Sequence, residues 1–358
     1  MSTKNSVLQT LLSLKKDEFL SGEQLALSCG VSRTAIWKAI RSLESDGYRI
    51  QAVTNRGYKL LSKPDKLDAG EISRLISGTS PVHVYTFDSI DSTNSEAKRR
   101  AVEVGAFRDA EGNLTEKGKT AHISLFAAEM QTGGKGRLGR TFVSPAETGV
   151  YFSLLYSPRG GVKNPALYTA AAALAVSNAV KSLFGENPQI KWVNDVFLAG
   201  KKICGILVEG ITNFETGSID AAVVGIGINI RKNPDITGEL AKIAGSIEEA
   251  KISRGENFTP CTKNQLVSEV IKNLIMFYKT FESDDEQAKS EIIMNYRSLS
   301  MLAGKSVTVN PVAGLSGETY RAIVKDVDDE MRLVVETEEH EIKKLNSGEI
   351  SLHSYDFV

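Results

Sequence analysis

The sequence predicts an α+β protein of three parts: a winged helix-turn-helix, a mixed α/β body and a small all-β module. Three observations carry this expectation. The first 62 residues read as three short helices and a hairpin. The stretch 67–300 alternates strand and helix patterns, and from residue 301 onward only short alternating strands remain. A chain of 358 residues is too long for one ordinary core, in keeping with several domains. With 41% hydrophobic and 24% charged residues, the composition is globular and excludes a disordered, collagen-like or disulfide-scaffold chain.

In the first part, Val7, Leu8, Leu11, Leu12 and Leu14 form a helical stripe. Ser21 can cap a second helix, Gln24 can close a capping box, and Gly30 can end that helix in the left-handed conformation. Ser32 suits the N-cap of a third helix whose apolar face is Ile36, Ala39, Ile40 and Leu43. Two short helices joined through residues 28–32 have helix-turn-helix spacing. Strand signals at 48–53 and 58–61 flank a turn at 54–57 and make a wing. The third helix leaves Arg33, Thr34, Trp37, Lys38 and Arg41 off its core face. Ser32, Arg33 and Thr34 at its N-terminus suit base edges in a major groove, Lys38 and Arg41 suit phosphates, and Arg56 at the wing tip suits the backbone or minor groove. The alternative is a solvated face with Trp37 packed on the wing. Charge favours nucleic acid. Residues 1–62 hold nine Lys+Arg against five Asp+Glu, whereas the rest holds 34 against 39, so a basic head sits on an acidic body.

A polar, Pro-containing junction at 62–66 leads into the body. Strand patterns fall at 82–87, 123–130, 149–156, 189–192, 196–198, 203–208 and 221–228, and helical patterns at 166–183, 266–281 and 286–296. The polar, Gly-containing segment 106–119 reads as a surface excursion. Strands at 306–309, 319–327, 332–336, 339–345 and 349–352, with turns at 314–317 and 328–329, make a small β barrel or sandwich. The longest apolar run, 170–176, is far short of a membrane span, and residues 1–19 carry no secretory pattern. Cys29, Cys204 and Cys261 are odd in number and widely spaced, most simply reduced thiols of a cytoplasmic protein. With His83, His122, His340 and His353 scattered, no protein-built metal site is expected.

Two glycine-rich stretches point to chemistry. Gly134, Gly136 and Gly139 satisfy G-x-G-x-x-G, but residues 141–145 are no helix start, so the dinucleotide-binding reading fails. What remains is a cationic loop with Lys135, Arg137 and Arg140, suited to folding over an anionic ligand. The alternative is a solvated basic hairpin. The second stretch, 223–229, places Gly225 and Gly227 in a strand, which lets a ligand approach the backbone or marks a bulge or tight packing. Between them, polar residues at 191–195 and 201–209 interrupt apolar strands. Asp195 and Lys202 are candidates for a buried acid and a buried cation, the alternative being a hairpin with Lys201 and Lys202 in solvent.

The segments 91–94, 131–140, 191–195, 202–209 and 225–229 fall in the order seen in biotin–protein ligases. With the N-terminal winged helix and the C-terminal β module, essentially the whole chain resembles the bifunctional biotin–protein ligase and biotin operon repressor family. Three positions depart from the usual pattern: Lys135 stands where Arg is common, Val193 where Pro is, and Phe142 where Trp is. The resemblance implies a winged helix-turn-helix DNA-binding domain at 1–62, a biotin- and ATP-binding catalytic domain at 67–300 and an SH3-like β barrel at 301–358.

The implied activity is that of a biotin–[acetyl-CoA-carboxylase] ligase. Biotin is activated with ATP and Mg2+ as biotinoyl-5'-AMP and passed to a lysine of a biotin carboxyl carrier protein. The implied catalytic residues are Lys202, Arg137 and Asp195. Lys202 meets the biotin carboxylate and phosphate oxygens, Arg137 closes the loop over the intermediate, and Asp195 orients or deprotonates the acceptor lysine. By the same resemblance the biotin pocket comprises Ser92, Thr93, Asn94, Gln131, Gly134, Lys135, Gly136, Arg137, Lys202 and Gly205. The adenylate side comprises Arg137, Arg140, Phe142, Asn194, Asp195, Lys202, Gly225, Ile228 and Asn229. The implied regulation is dimerisation of the adenylate-bound protein on operator DNA, with the carrier protein competing for the monomer and no membrane partner. Alternatives are a ligase whose winged helix has lost its operator, a lipoate-type ligase and a pure ligand-sensing transcription factor.

Overall fold

The computed structural model describes residues 2–15, 18–54, 56–62, 64–109, 111–213, 217–259, 261–310, 319–346 and 349–352. The expected turn at 314–317 and His353 lie outside them, as do Asn55 in the wing turn, Lys63 in the junction and Ala110 in the 106–119 segment. The chain forms two compact units, Met1–Lys66 and Leu67–Val358.

In the first unit, α1 (Thr3–Leu12), α2 (Gly22–Cys29) and α3 (Arg33–Ser45) precede a wing of β1 (Arg49–Val53) and β2 (Gly57–Ser62). The caps are those the sequence predicts. Ser21 and Gln24 close a capping box, Gly30 ends α2 with φ 65°, and Ser32 Oγ accepts from Ala35 N. The core is made of Val7, Leu11, Leu25, Ile36, Ala39, Ile40 and Leu43. β1 and β2 pair antiparallel, and Leu20 bridges to Tyr58 at the root of the wing.

The second unit opens with α4 (Ala69–Leu75), β3 (His83–Phe87), α5 (Thr93–Val104), α6 (Glu116–Lys119), β4 (Ile123–Ala128), β5 (Gly149–Tyr156) and α7 (Pro165–Phe184). Next come β6 (Gln189–Lys191), β7 (Asp195–Leu198), β8 (Lys201–Thr212), β9 (Ile219–Asn229), α8 (Gly238–Ile243) and α9 (Ile247–Ile252). They are followed by α10 (Lys263–Glu282), α11 (Glu286–Ser298), β10 (Ser306–Asn310), β11 (Tyr320–Val327), β12 (Leu333–Thr337), β13 (Ile342–Leu345) and β14 (Glu349–Leu352). A seven-stranded mixed sheet runs β3-β4-β5-β9-β8-β7-β6, parallel between β3 and β4 and antiparallel elsewhere.

Both faces of this sheet are covered at its centre, which is why β4 and β5 read as continuous apolar runs. On one face lie α7 and α10. The helix α7 is long and apolar enough to cross a membrane by length and composition, and here it is the central core helix, with Ala172, Ala173, Ala175 and Val176 wholly buried. On the other face α5 covers Phe126, Leu155, Ala221 and Val223 with Ala97, Ala101 and Val104. The sequence patterns did not reveal α5, because its buried stripe consists of two alanines and one valine among charged residues. The short helices α4, α6, α8 and α9 escaped for a related reason: none exceeds seven residues.

The C-terminal strands form a five-stranded antiparallel sheet of order β13-β12-β11-β10-β14. Its Val307, Val324 and Leu333, with Met331 in the turn before β12, belong to the same continuous core as α7 and the large sheet, and Trp192 Nε1 donates to Met331 O at 2.8 Å.

Candidate active site

The alternation of β9 builds the floor of the site. Ala222, Val224, Ile226 and Ile228 turn into the core beneath α7, whereas Ala221 and Val223 turn up under α5. Farther along that upper face come Gly225, beneath Asn94 at the start of α5, and Gly227, beneath Phe142. The register with β5 and β8 runs through both glycines without a bulge. Their missing side chains are what let other groups approach. A Cβ on Gly225 would stand 2.0 Å from Asn94 Oδ1, and one on Gly227 would stand 2.4 Å from the Phe142 ring.

Two adjoining hollows open over this floor. Ser92, Thr93, Asn94, Gln131, Lys135, Gly205 and Gly225 line the first. Arg140, Lys191, Trp192, Asp195, Asn229, Ile236, Leu240 and Ile243 line the second. Gly136, Arg137, Phe142, Asn194 and Lys202 border both and make the partition. Phe142 stands over Gly205 and Gly227, with its ring edge-on to Tyr151 at 6.3 Å.

Along the partition the four polar candidates form one hydrogen-bonded chain. Arg137 Nη1 donates to Asn194 Oδ1 at 2.7 Å, Asn194 Nδ2 donates to Asp195 Oδ1 at 3.0 Å, and Lys202 Nζ meets the same oxygen at 2.7 Å. Asn194 is further fixed by donating to Ile206 O at 3.0 Å. The chain spans two loops distant in sequence. The glycine-rich stretch folds as a small hairpin: Phe142 N donates to Gly134 O, Lys135 bridges to Thr141, and Gly136 N donates to Arg140 O. A short 3-10 turn at its tip, Arg137–Gly139, turns Arg137 into the cleft. The stretch is therefore a hairpin that commits Arg137 to the partition and sets Arg140 along the second hollow. The hairpin of β7 and β8 presents Asp195 and Lys202. The Trp192–Val193 peptide before it is cis. Lys201, at the turn, donates to the carbonyls of Ala241 and Lys242 and so ties α8 to the sheet, while Lys202 faces Asp195.

Polar bonds also order the first hollow. Gln131 Oε1 accepts from Thr93 N at 2.9 Å, and its Nε2 donates to Ser144 Oγ at 2.9 Å. Ser92 caps α5, its side chain accepting from Ser95 N. Asn229 reaches the second hollow and donates to Gly245 O at 3.0 Å.

Two expected site residues fall elsewhere. Ile228 is wholly buried in the core, because strand alternation sends it to the face opposite Gly227 and Asn229, so its side chain does not reach the cleft. Gly134 lies behind the partition, where a Cβ would stand 2.3 Å from Phe142 O. The sequence reading missed the apolar wall of Ile236, Leu240 and Ile243, although their spacing after Asn229 is helical. It also missed Ser144 and Ser153, which orient Gln131 and Asn94 and which no local pattern marks.

In the first unit, Arg33, Thr34, Trp37, Lys38 and Arg41 are all exposed on α3, and Trp37 is 53% exposed rather than packed on the wing. The Arg41 guanidinium lies over the Trp37 ring, and that of Arg56 over Phe19 at 4.3 Å.

Comparison with known proteins fits this geometry. The profile of the Biotin/lipoate A/B protein ligase family matches residues 113–229, an HTH domain profile matches residues 4–59, and that of the Biotin protein ligase C terminal domain matches residues 304–353. The bifunctional ligase/repressor BirA of Bacillus subtilis (strain 168) is 31% identical over 98% of this chain and 99% of its own length. This chain belongs to the bifunctional biotin ligase/repressor family. The family member from Escherichia coli (strain K12) is 26% identical over 97% of either chain. The biotin protein ligase from Aquifex aeolicus, solved in complex with biotin and ATP, superposes with a TM-score of 0.56 at 26% identity, covering 76% of this chain and 98% of that one. The chain is thus a biotin–[acetyl-CoA-carboxylase] ligase with a helix-turn-helix repressor module.

Proposed function

We propose that this ligase/repressor binds biotin in the first hollow and ATP in the second, and joins them across the partition. The single observation behind this reading is the chain Arg137–Asn194–Asp195–Lys202, which sets two cations where the hollows meet. A carboxylate is a poor acyl donor, and its approach to a phosphate sets two anions against each other. Cations aimed at the developing charge are what the step requires. One biotin carboxylate oxygen bonds to the α-phosphorus, the bond to the departing diphosphate breaks, and biotinoyl-5'-AMP remains. Lys202 faces the carboxylate and phosphate oxygens, and Arg137 covers the anhydride and keeps water from it. The ureido ring sits among Ser92, Thr93, Asn94 and Gln131, with Lys135, Gly136 and Gly205 around it. The nucleotide sits along Phe142, Arg140, Asn194 and Asn229, whereas Gly225, expected on the adenylate side, lines the first hollow. Magnesium arrives with ATP on phosphate oxygens. Among the described residues no cluster of three His, Cys, Asp or Glu offers it a protein-built site.

In the second step a neutral lysine amine of a biotin carboxyl carrier protein attacks the carbonyl carbon. The bond to AMP breaks and the amine proton is lost, with Asp195 as the group that orients or accepts. Incubation with biotin, ATP, Mg2+ and a carrier domain of acetyl-CoA carboxylase should label the carrier. Labelling with lipoate in place of biotin would overturn the assignment.

The repressor half acts in the cytoplasm as an adenylate-bound homodimer on an inverted-repeat operator, read by Ser32, Arg33, Thr34, Trp37, Lys38, Arg41 and Arg56. Free carrier protein competes for the adenylate-bound monomer. Footprinting with and without biotin plus ATP tests this, and equal protection in both states defeats the switch.

A further inference from the structure

Behind the first hollow runs a row of polar side chains that the two chemical steps leave unused. Lys98 lies on α5 one turn after Asn94, and its ammonium pairs with one oxygen of Glu209, on β8. The other Glu209 oxygen accepts from Asn94 Nδ2 at 2.8 Å. Asn94 is 4% exposed, its Oδ1 accepts from Ser153 Oγ at 2.6 Å, and it lines the hollow directly over Gly225.

An amide turned end for end has the same shape, so packing alone does not choose its orientation; its hydrogen-bond partners do. An ionised carboxylate only accepts, so Glu209 forces the NH2 end of Asn94 toward itself and the oxygen toward Ser153. Ser153 Oγ is then the donor to Asn94, and its hydroxyl is shared with Thr93 Oγ1, 2.7 Å away. The Thr93 hydroxyl in turn donates to Gln131 Oε1 at 3.2 Å. Thr93 N meanwhile holds Gln131 Oε1. The charge thereby fixes the Asn94–Ser153 end of this row, with Leu207 O, 3.4 Å from Asn94 Nδ2, favouring the same orientation, while the backbone N–H of Thr93 fixes Gln131. Burial pushes the Glu209 carboxyl up, but the bonds from Lys98 and Asn94, with Lys135 nearby, outweigh it and hold the group ionised below its ordinary range.

We propose that Lys98 and Glu209 are a positioning pair that sets the donor–acceptor polarity of the pocket floor, and so the affinity for the ureido ring but not the rate of the chemical step. This inference rests on the reading that the first hollow takes biotin.

Steady-state kinetics of the full chain test it. Lys98→Met should raise the KM for biotin about tenfold, the scale of loosening one buried hydrogen-bonded group, with kcat and the KM for ATP within about twofold of wild type. Lys98→Arg, which keeps the charge, should restore the KM. Glu209→Gln, which can turn an N–H toward Asn94, should raise it at least as far as Lys98→Met. A wild-type biotin KM in Lys98→Met overturns the proposal, as does a Lys98→Arg variant as impaired as Lys98→Met, or a loss confined to kcat. Calorimetry with biotin alone separates the two levels. If the wild-type chain binds no biotin, the assignment of the hollow fails; if wild type and Lys98→Met bind equally, only the positioning role fails.

Discussion

In the proposed mechanism the chemistry turns on Lys202. It stands 2.7 Å from Asp195 on the partition between the hollows, and its loss removes a cation without opening a core cavity. Lys202→Ala should abolish biotin-dependent exchange of diphosphate into ATP, with a normal unfolding transition. Near-normal exchange would refute the role. Arg137 differs, because it belongs to a hairpin and reaches the site through Asn194. Its proposed function is retention as much as charge. Arg137→Ala should release biotinoyl-5'-AMP faster than wild type, read by labelling of a carrier domain held behind a dialysis membrane. Unchanged retention would count against closure by this residue.

At the scale of elements, the start of α10 fastens the entry of the second unit. Lys263, 5% exposed, pairs with Glu129 at 2.5 Å, and the other Glu129 oxygen accepts from Leu67 N at 2.6 Å. Asn264 accepts from Asp68 N and donates to Glu71. Glu129 stands two residues before Gln131, so this knot also steadies the root of the glycine-rich hairpin. Lys263→Met leaves Glu129 charged and buried, and should lower stability by about 3 kcal/mol, the lower end for breaking a buried pair; thermal unfolding checks this. On α3 the contacts divide by type. Lys38→Ala should weaken operator binding for all sequences alike and lower the salt slope by about one, as the loss of a phosphate contact does. Arg33→Ala should relax preference at one base position, which a titration of operator variants at two salt concentrations separates from the first effect.

For the whole molecule, the units differ in charge and in core. The first closes its own core around Leu25, Ile36 and Leu43, and the second has one large apolar core from α4 to β12 and a smaller one under α5. A chain beginning at Leu67 should therefore still biotinylate the carrier domain at a rate within a few-fold of the full chain, while losing operator binding. Failure of the truncated chain to fold, judged by its unfolding transition, would contradict the independence of the two cores. The C-terminal strands offer no such cut. Val307, Val324 and Leu333 are wholly buried in the core shared with α7, so removing them exposes apolar surface on both partners.

The sequence by itself determined the local elements and the chemistry on offer. Capping residues placed α2 and α3, a short apolar run placed β9, a glycine-rich cationic run marked Arg137, and polar residues between apolar strands offered Lys202, because each of these signals acts over fewer than ten residues. It did not show α5, whose buried face is alanine, nor the pairing of Lys98 with Glu209 across 111 positions. Tertiary structure alone decided which residues share a wall. Strand alternation turned the Ile228 side chain into the core, and Phe142 became the partition because two bare glycines lay beneath it. Local propensity reports what a segment can be; only the folded sheet, by fixing which face meets which loop, brings the four members of the Arg137–Lys202 chain within hydrogen-bonding distance.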